Sequence, residues 1–215
     1  MIAIDSPSLS TRVITPRLVL RPPRGSDVPE LRRLLRANAD HLRPWEPAAT
    51  PGEDPTSLTA VTNRITRQRR DWKRGEAYTL LLTLRAPGEP IVGRINLGGI
   101  LRGAFQNAYV GYWIDHENQG RGLMTEAVRG TLAFAFEATK LHRVQIAIMP
   151  RNAASLRVVA KVGGRREGLA ERYLQIAGRW EDHLIFAITR EEWEPVEARE
   201  GGEAGEAGAA GEETG

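Results

Sequence analysis

Apolar residues change their spacing several times along the chain, and each change marks an element. Arg17-Leu18-Val19-Leu20-Arg21 alternates polar and apolar positions as a half-buried strand does, and Pro22-Pro23 stops it. Ser26 and Asp27 then offer an N-cap to a run in which Val28, Leu31, Leu34 and Leu35 recur at helical spacing. Leu58, Val61, Ile65 and Trp72 predict a second helix, with Gly75 as its stop. Between the two helices, Leu42-Arg43-Pro44-Trp45-Glu46-Pro47 is too rich in proline for regular structure. Three strand-like runs follow, 77–84, 91–99 and 108–115, separated by the turns Ala86-Pro87-Gly88 and Arg102-Gly103-Ala104, and they read as an antiparallel meander. A helix over 123–139 buries Ala127, Leu132, Phe134 and Phe136, then comes a strand over 143–149 and a short helix over 153–162. Strands over 170–176 and 183–188, joined at Ala177-Gly178-Arg179, complete the pattern. It describes an α/β chain of about seven strands and about four helices.

The 215 residues, 41% hydrophobic, support one core, with the domain over 10–194. From residue 195 to 215 the chain is Glu, Gly and Ala with little else, which predicts a disordered acidic tail and leaves the domain itself more basic than the net charge of +3. Asp and Glu nearly balance Arg and Lys, so bulk charge gives no reason to expect direct nucleic-acid binding. No apolar run reaches a membrane span and the N-terminus does not resemble a signal peptide, which predicts a cytoplasmic protein without membrane contact. With no cysteine, thiol nucleophiles are excluded, and the four histidines His41, His116, His142 and His183 fall at no metal-ligand spacing.

The segment Gly111-Tyr112-Trp113-Ile114-Asp115-His116-Glu117-Asn118-Gln119-Gly120-Arg121-Gly122-Leu123-Met124 runs from a strand through a glycine-rich turn into a helix. Such a turn presents unpaired backbone N–H groups at the positive end of a helix dipole, where a phosphate comes close because glycine lacks a Cβ, and Arg121 adds a cation. Taken alone, a Gly-x-Gly turn before a helix serves equally as a tight connection.

Gln119-x-x-Gly122-x-Met124 resembles the pyrophosphate loop of the GNAT superfamily of N-acetyltransferases, written Gln/Arg-x-x-Gly-x-Gly/Ala, with methionine replacing the last small residue. The likeness extends to Thr15-x-Arg17-Leu18-x-Leu20-Arg21, His142-Arg143-Val144, Asn152-x-x-Ser155 and Glu167-Gly168, which are similar to the RimJ/RimL branch. Leu42 to Pro47, Arg102-Gly103-Ala104-Phe105 and Tyr173-Leu174-x-Ile176-x-Gly178-x-Trp180-x-Asp182-His183 resemble its RimJ-type members, which acetylate the N-terminal alanine of a ribosomal protein. The resemblance implies a GNAT fold, a mixed and mostly antiparallel twisted sheet splayed where acetyl-CoA enters. It implies acetyl-CoA as co-substrate, no metal, a peptide N-terminus as acceptor, and a monomer or homodimer. Small-molecule amine acetylation on the same fold, or acetyl-CoA binding without catalysis in ribosome assembly, are the alternatives.

Under this resemblance the amides of Gln119, Gly120, Arg121, Gly122, Leu123 and Met124 hold the pyrophosphate, and Trp113 and Ile114 border the pantetheine. Asn152 either hydrogen-bonds the pantetheine or simply caps the helix that follows it. Many family members carry a tyrosine acid seven residues after this asparagine, where this chain has Val159. Ser155 and Tyr112 are therefore the candidate proton donors, Glu167, Glu171 and Asp182 the candidate bases, and a backbone N–H near Tyr112 the oxyanion donor. Each carboxylate reads equally as solvated or arginine-paired, and Ser155 as an ordinary first-turn serine. Trp45, Glu46 and Tyr173 are assigned to the acceptor side, Glu46 facing a cationic terminus. Phenylalanine in the family's Gly-Phe after that helix is replaced in Gly163-Gly164.

Overall fold

The computed structural model describes residues 7–50 and 52–193, so the acidic tail predicted over 195–215 lies outside the described residues. Eight strands form one sheet in the order β1-β2-β3-β4-β5-β6-β8-β7. They are β1 (Val13–Ile14), β2 (Leu18–Arg21), β3 (Tyr78–Leu84), β4 (Ile91–Leu101), β5 (Asn107–Ile114), β6 (Arg143–Ile148), β7 (Arg165–Ile176) and β8 (Arg179–Thr189). The helices are α1 (Val28–Ala37), α2 (Ala39–Leu42), α3 (Leu58–Arg74), α4 (Leu123–Ala133) and α5 (Ala153–Lys161). Every neighbouring pair is antiparallel except β5 and β6, which α4 connects as a crossover.

The extra strand and helix are both short. Val13–Ile14 pairs with Leu20 and Val19, and two residues carry too little alternation to register as a strand in sequence. Ala39–Leu42 is a single turn that follows α1 after Asn38. The proline-rich loop is more ordered than its composition suggests, since Arg43–Trp45 forms a 3₁₀ turn with proline in its first turn. β7 and β8 each begin earlier than the alternation indicates, because their long hairpin contains two register shifts that break the period-two pattern.

Layers of apolar side chains explain the remaining elements. One face of the sheet packs α4 and α5 against Leu18, Leu20, Leu80, Leu82, Ile95, Ala108 and Val110. The opposite face packs α1 and α3 through Val28, Leu31, Leu34, Leu35, Val61 and Ile65 against Leu81, Ile91 and Trp113. β2 is consequently buried on both faces rather than one, and Arg21 is 5% exposed. Its two terminal guanidinium nitrogens make a bidentate pair with Asp27, both bonds at 2.8 Å, while among the described residues its buried Nε has no partner. Asp27 precedes α1 as expected, but its carboxylate turns back to Arg21 and to the Arg24 N–H (2.6 Å) rather than onto the helix.

α4 ends sooner than its periodicity predicts. After Ala133 the turn widens over Phe134–Ala138, with the Thr139 N–H donating to the Phe134 carbonyl (3.0 Å). The wide turn places Phe134, Ala135 and Phe136 inward together, which a 3.6-residue repeat does not allow. Gly164 also has a steric reason: a Cβ there would lie 2.4 Å from Cγ2 of buried Val159, so a side chain has no room.

Candidate functional site

β5 and β6 pair only from Asn107 to Val110 against Arg143 to Ile146, although β5 runs on to Ile114 and β6 to Ile148. From Gly111 onward the two strands diverge, and the β6-facing backbone groups of β5 open into a cleft of about 460 Å³. The floor and rim of this cleft bring together Trp45, Glu46, Tyr112, Trp113, Ile114, Gln119, Gly120, Gly122, Leu123, Met124, Asn152 and Ser155. Residues separated by more than 100 positions in sequence thus meet at one place. A larger depression of about 890 Å³ between α1 and α3 contains none of them.

Gly120 and Gly122 both adopt positive φ, at 71° and 76°, which turns the chain sharply into α4. Among the described residues no side chain caps that helix, so first-turn amides at Leu123 and Met124 are left without a cap beside the cleft. Met124 is 7% exposed and packs into the main core, so its bulk points away from the turn. The loop is held from behind. Glu126 accepts from Thr15 Oγ1 (2.6 Å), Arg17 N (2.7 Å) and Arg17 Nε (2.7 Å), and Arg17 Nη1 donates to the Arg121 carbonyl (2.8 Å). Burial pushes the Glu126 carboxyl up, but these Thr15 and Arg17 contacts outweigh it and hold the group ionised below its usual range. Arg121's own guanidinium donates to Asn118 Oδ1 (2.8 Å) and does not line the cleft.

A second brace comes from α1 and α2. Asn38 is fully buried, and its Nδ2 donates to Asp115 Oδ1 (2.8 Å) and the Leu34 carbonyl (3.0 Å) while its Oδ1 accepts from the His116 N–H (2.9 Å). His41 Nε2 and Gln119 Nε2 are 2.8 Å apart, and both residues line the cleft. His41, Asn118, Arg157 and Lys161 are cleft residues that the sequence reading did not select. His41 lies 78 positions from Gln119, and no local pattern links them.

On the α5 side, Asn152 is an N-cap whose side chain accepts from the Ser155 N–H (3.1 Å), while still lining the cleft. Among the described residues the Ser155 hydroxyl has no hydrogen-bond partner, and it opens on the same space. Tyr112 extends from β5 so that its hydroxyl makes a long contact to the Ser155 carbonyl (3.5 Å). Burial pushes this phenol up to about 12, so it stays protonated across ordinary working pH. Val159, at the position expected for an acid, is 1% exposed in the core.

Besides Arg121, the candidates Glu167, Glu171, Asp182 and Tyr173 do not line the cleft. Glu167, on the edge strand β7, is paired with Arg143 of β6 (2.5 Å) and Arg165 of β7 (3.3 Å). Asp182 accepts from the Arg172 N–H (2.7 Å), closing the bulge where the β7 and β8 registers shift, and Arg172 sits there at φ 47°. Tyr173 packs edge-on against His183 with ring centroids 5.7 Å apart, its hydroxyl accepting from Gln145 Nε2 (3.3 Å). Glu171 is likewise outside, 3.8 Å from Arg172. Glu46 is then the carboxylate that lines the cleft among the described residues. Its loop is fixed by two contacts: the Ala177 N–H donates to the Glu46 carbonyl (3.0 Å), and Arg151 lies 5.1 Å from the Trp45 ring centroid while pairing with Glu181 (2.9 Å). Among the described residues no cluster of His, Asp and Glu could hold a metal ion, and no helix is long and apolar enough to cross a membrane.

Comparison with known proteins agrees with this geometry. A family model described as an acetyltransferase (GNAT) domain matches residues 17–165. The chain is 33% identical over 186 residues to the [ribosomal protein uS5]-alanine N-acetyltransferase of Escherichia coli (strain K12), covering 86% of this chain and 93% of that protein. Among solved structures, the Vibrio fischeri ribosomal-protein-S5-alanine acetyltransferase superimposes with a TM-score of 0.78 at 30% identity, covering 86% of this chain and all of that one. Mycobacterium smegmatis RimJ in complex with CoA-disulfide gives 0.78 at 34% identity, covering 87% and 89%. With the family model spanning most of the chain and the strand, turn and helix arranged around one splayed cleft, this protein belongs to the GNAT acetyltransferases.

Proposed function

We propose that the chain transfers the acetyl group of acetyl-CoA directly to the α-amino group of a peptide N-terminus, most simply the alanine terminus of a ribosomal protein. The observation that carries this reading is the uncapped start of α4 at Gly120 to Met124, which opens onto the unpaired edge of β5 in a single cleft. Pyrophosphate would accept from those amides, and pantetheine would lie along β5 as a further strand, with the Asn152 side chain beside it. That the Mycobacterium smegmatis relative is in complex with CoA-disulfide supports a CoA ligand for this chain.

The acceptor enters between the Trp45–Glu46 loop and β5. An α-amine has a pKa of about 7.7 to 8.0, so a modest fraction is neutral near pH 7 and a weak base suffices. Glu46 is positioned to bind the ammonium form and take up its proton through water. The neutral nitrogen attacks the thioester carbonyl, forming the C–N bond, and negative charge develops on the carbonyl oxygen near a backbone N–H of Tyr112 to Ile114. The nitrogen gives up its excess proton to water, collapse breaks the C–S bond, and the Ser155 or Tyr112 hydroxyl supplies a proton or hydrogen bond to the departing thiolate, a donated proton being replaced from solvent. Thiols have a pKa near about 8.5, so this last step makes a modest demand on the donor.

Thiol release measured with acetyl-CoA and an Ala-starting peptide tests the proposal. Turnover with acetylated peptide supports it. Turnover restricted to small amines favours a small-molecule acetyltransferase, and tight acetyl-CoA binding without turnover on any amine favours a binding module.

A further inference from the structure

Arg94 and Trp113 are direct partners across the β4 and β5 ladder, so their side chains leave the sheet side by side on the α1 and α3 face. The Arg94 side chain is 23% exposed, and among the described residues its guanidinium makes no hydrogen bond. Its one ion-pair contact is Glu46, at 4.0 Å. Trp113 is 7% exposed, and among the described residues its buried Nε1 has no partner. Arg64 of α3 completes the group. Its Nη2 donates to the Pro55 carbonyl (3.2 Å), and it too feels the Glu46 charge.

The group therefore holds two guanidinium ions and an indole N–H against a single half-exposed carboxylate. Guanidinium carries five donors and keeps its charge, so half-shielded donors without a protein acceptor in hydrogen-bonding range are available to an anionic ligand. Burial lowers the Arg94 pKa, Glu46 only partly offsets this, and the nearby Arg64 charge adds to it. Arg94 and Arg64 are set just behind the wall of the cleft: Arg94 meets Glu46 and neighbours Trp113, and both of those residues line the cleft. We infer that Arg94, backed by Arg64, is an anion subsite that takes a carboxylate carried by the acceptor close to its reacting amine. β4 lies about 4.8 Å from β5, so a carboxylate one or two residues along the acceptor, each about 3.5 Å, reaches it. Glu46 and Arg94 would together read an acceptor that has an ammonium group and a nearby carboxylate. That carboxylate is either an acidic side chain following the terminal alanine or the α-carboxylate of a short amine.

This inference rests on the acetyl-transfer reading, and the test separates the two. Thiol release is measured for the full chain with Ala-starting peptides that differ only in Glu, Gln or Lys at the second and third positions, and with Ala-Ala against its C-terminal amide. The Glu peptides should exceed the Gln peptides in kcat/KM by about 10- to 100-fold, the range of one charge-assisted contact. In Arg94→Gln the ratio of Glu to Gln peptides should fall to about one through a raised KM for the Glu peptides, while acetyl-CoA affinity is retained. Arg94→Lys should restore part of the Glu advantage, and Arg64→Gln should reduce it, which keeps the test decisive if one variant folds poorly. A preference confined to free Ala-Ala over its amide, and lost in Arg94→Gln, supports the same subsite with a small acceptor. Equal rates for Glu and Gln peptides and for Ala-Ala and its amide, or discrimination that survives Arg94→Gln, would overturn the subsite while acetyl transfer stands. No thiol release with any acceptor would overturn both.

Discussion

Substituting Asp for Gly122 should separate binding from folding, because the two depend on different atoms at this position. Gly122 sits at φ 76°, ψ 0°, so any side chain costs about 1–2 kcal/mol of backbone strain, with Asp among the residues that bear it best. Its Cβ would meet only Nη2 of Arg17, at 3.4 Å, the far end of a half-exposed side chain that can shift. The new carboxylate would also lie at the N-terminus of α4 and beside Arg17, which returns about 0.3–1 kcal/mol. Stability should therefore change by no more than about 1–2 kcal/mol. Binding responds differently. Two unit charges about 4 Å apart repel by about 4 kcal/mol at an effective dielectric of about 20, and pyrophosphate has more than one charge. Screening by salt leaves about 2–4 kcal/mol, a rise in acetyl-CoA Kd of about 30- to 700-fold. Gly122→Ala carries the strain without the charge and should cost less than about tenfold. Titration calorimetry with acetyl-CoA, alongside thermal melts of the same samples, measures both quantities. A folded Gly122→Asp protein that binds acetyl-CoA within about threefold of wild type would refute the assignment of this turn to pyrophosphate.

Two other perturbations follow from the geometry. Ser155→Ala should lower kcat by about 10- to 1000-fold with acetyl-CoA affinity nearly unchanged, as for a group that acts mainly in the transition state. If affinity falls and kcat holds, the role passes to Tyr112, and Tyr112→Phe should then show the loss in kcat. Asp27→Ala leaves Arg21 buried without its counter-ion, so denaturant unfolding should show a loss of about 3–5 kcal/mol, or about 6–20 °C in Tm. Burial pushes the Asp27 carboxyl up, but the Arg21 and Arg24 contacts outweigh it and hold the folded pKa below the unfolded value of about 3.9. The contribution is thus complete above that pH and fades as pH falls through the lower, folded value. The variant should lack this acid-side slope, and a cost under about 1 kcal/mol would show the pair to be nearly neutral.

What the sequence determined by itself was whatever depends on neighbours a few positions apart. Period-two and helical repeats placed most strands and helices, Gly75 stopped α3 at φ 67°, and the Gly120 and Gly122 turn into α4 followed from residues within one stretch. These signals are local because backbone hydrogen bonds in helices and the alternation of strands are set within a few residues. The same locality hid the short β1, the wide turn after Ala133 and the shifted registers of β7, where tertiary packing overrides the local period. Choosing among carboxylates was beyond the sequence for a related reason. Glu46, Glu167 and Asp182 are chemically alike along the chain, and only the fold commits Glu167 to arginines, Asp182 to a backbone bulge and Glu46 to the cleft. The braces on the loop were equally out of reach. Arg17 meets Glu126 across 109 positions and Asn38 meets Asp115 across 77, contacts that exist because the sheet brings distant segments edge to edge. Arg94 is the extreme case, since an arginine on a strand reads as solvent-facing until a packed helix, a buried indole and a single carboxylate enclose it.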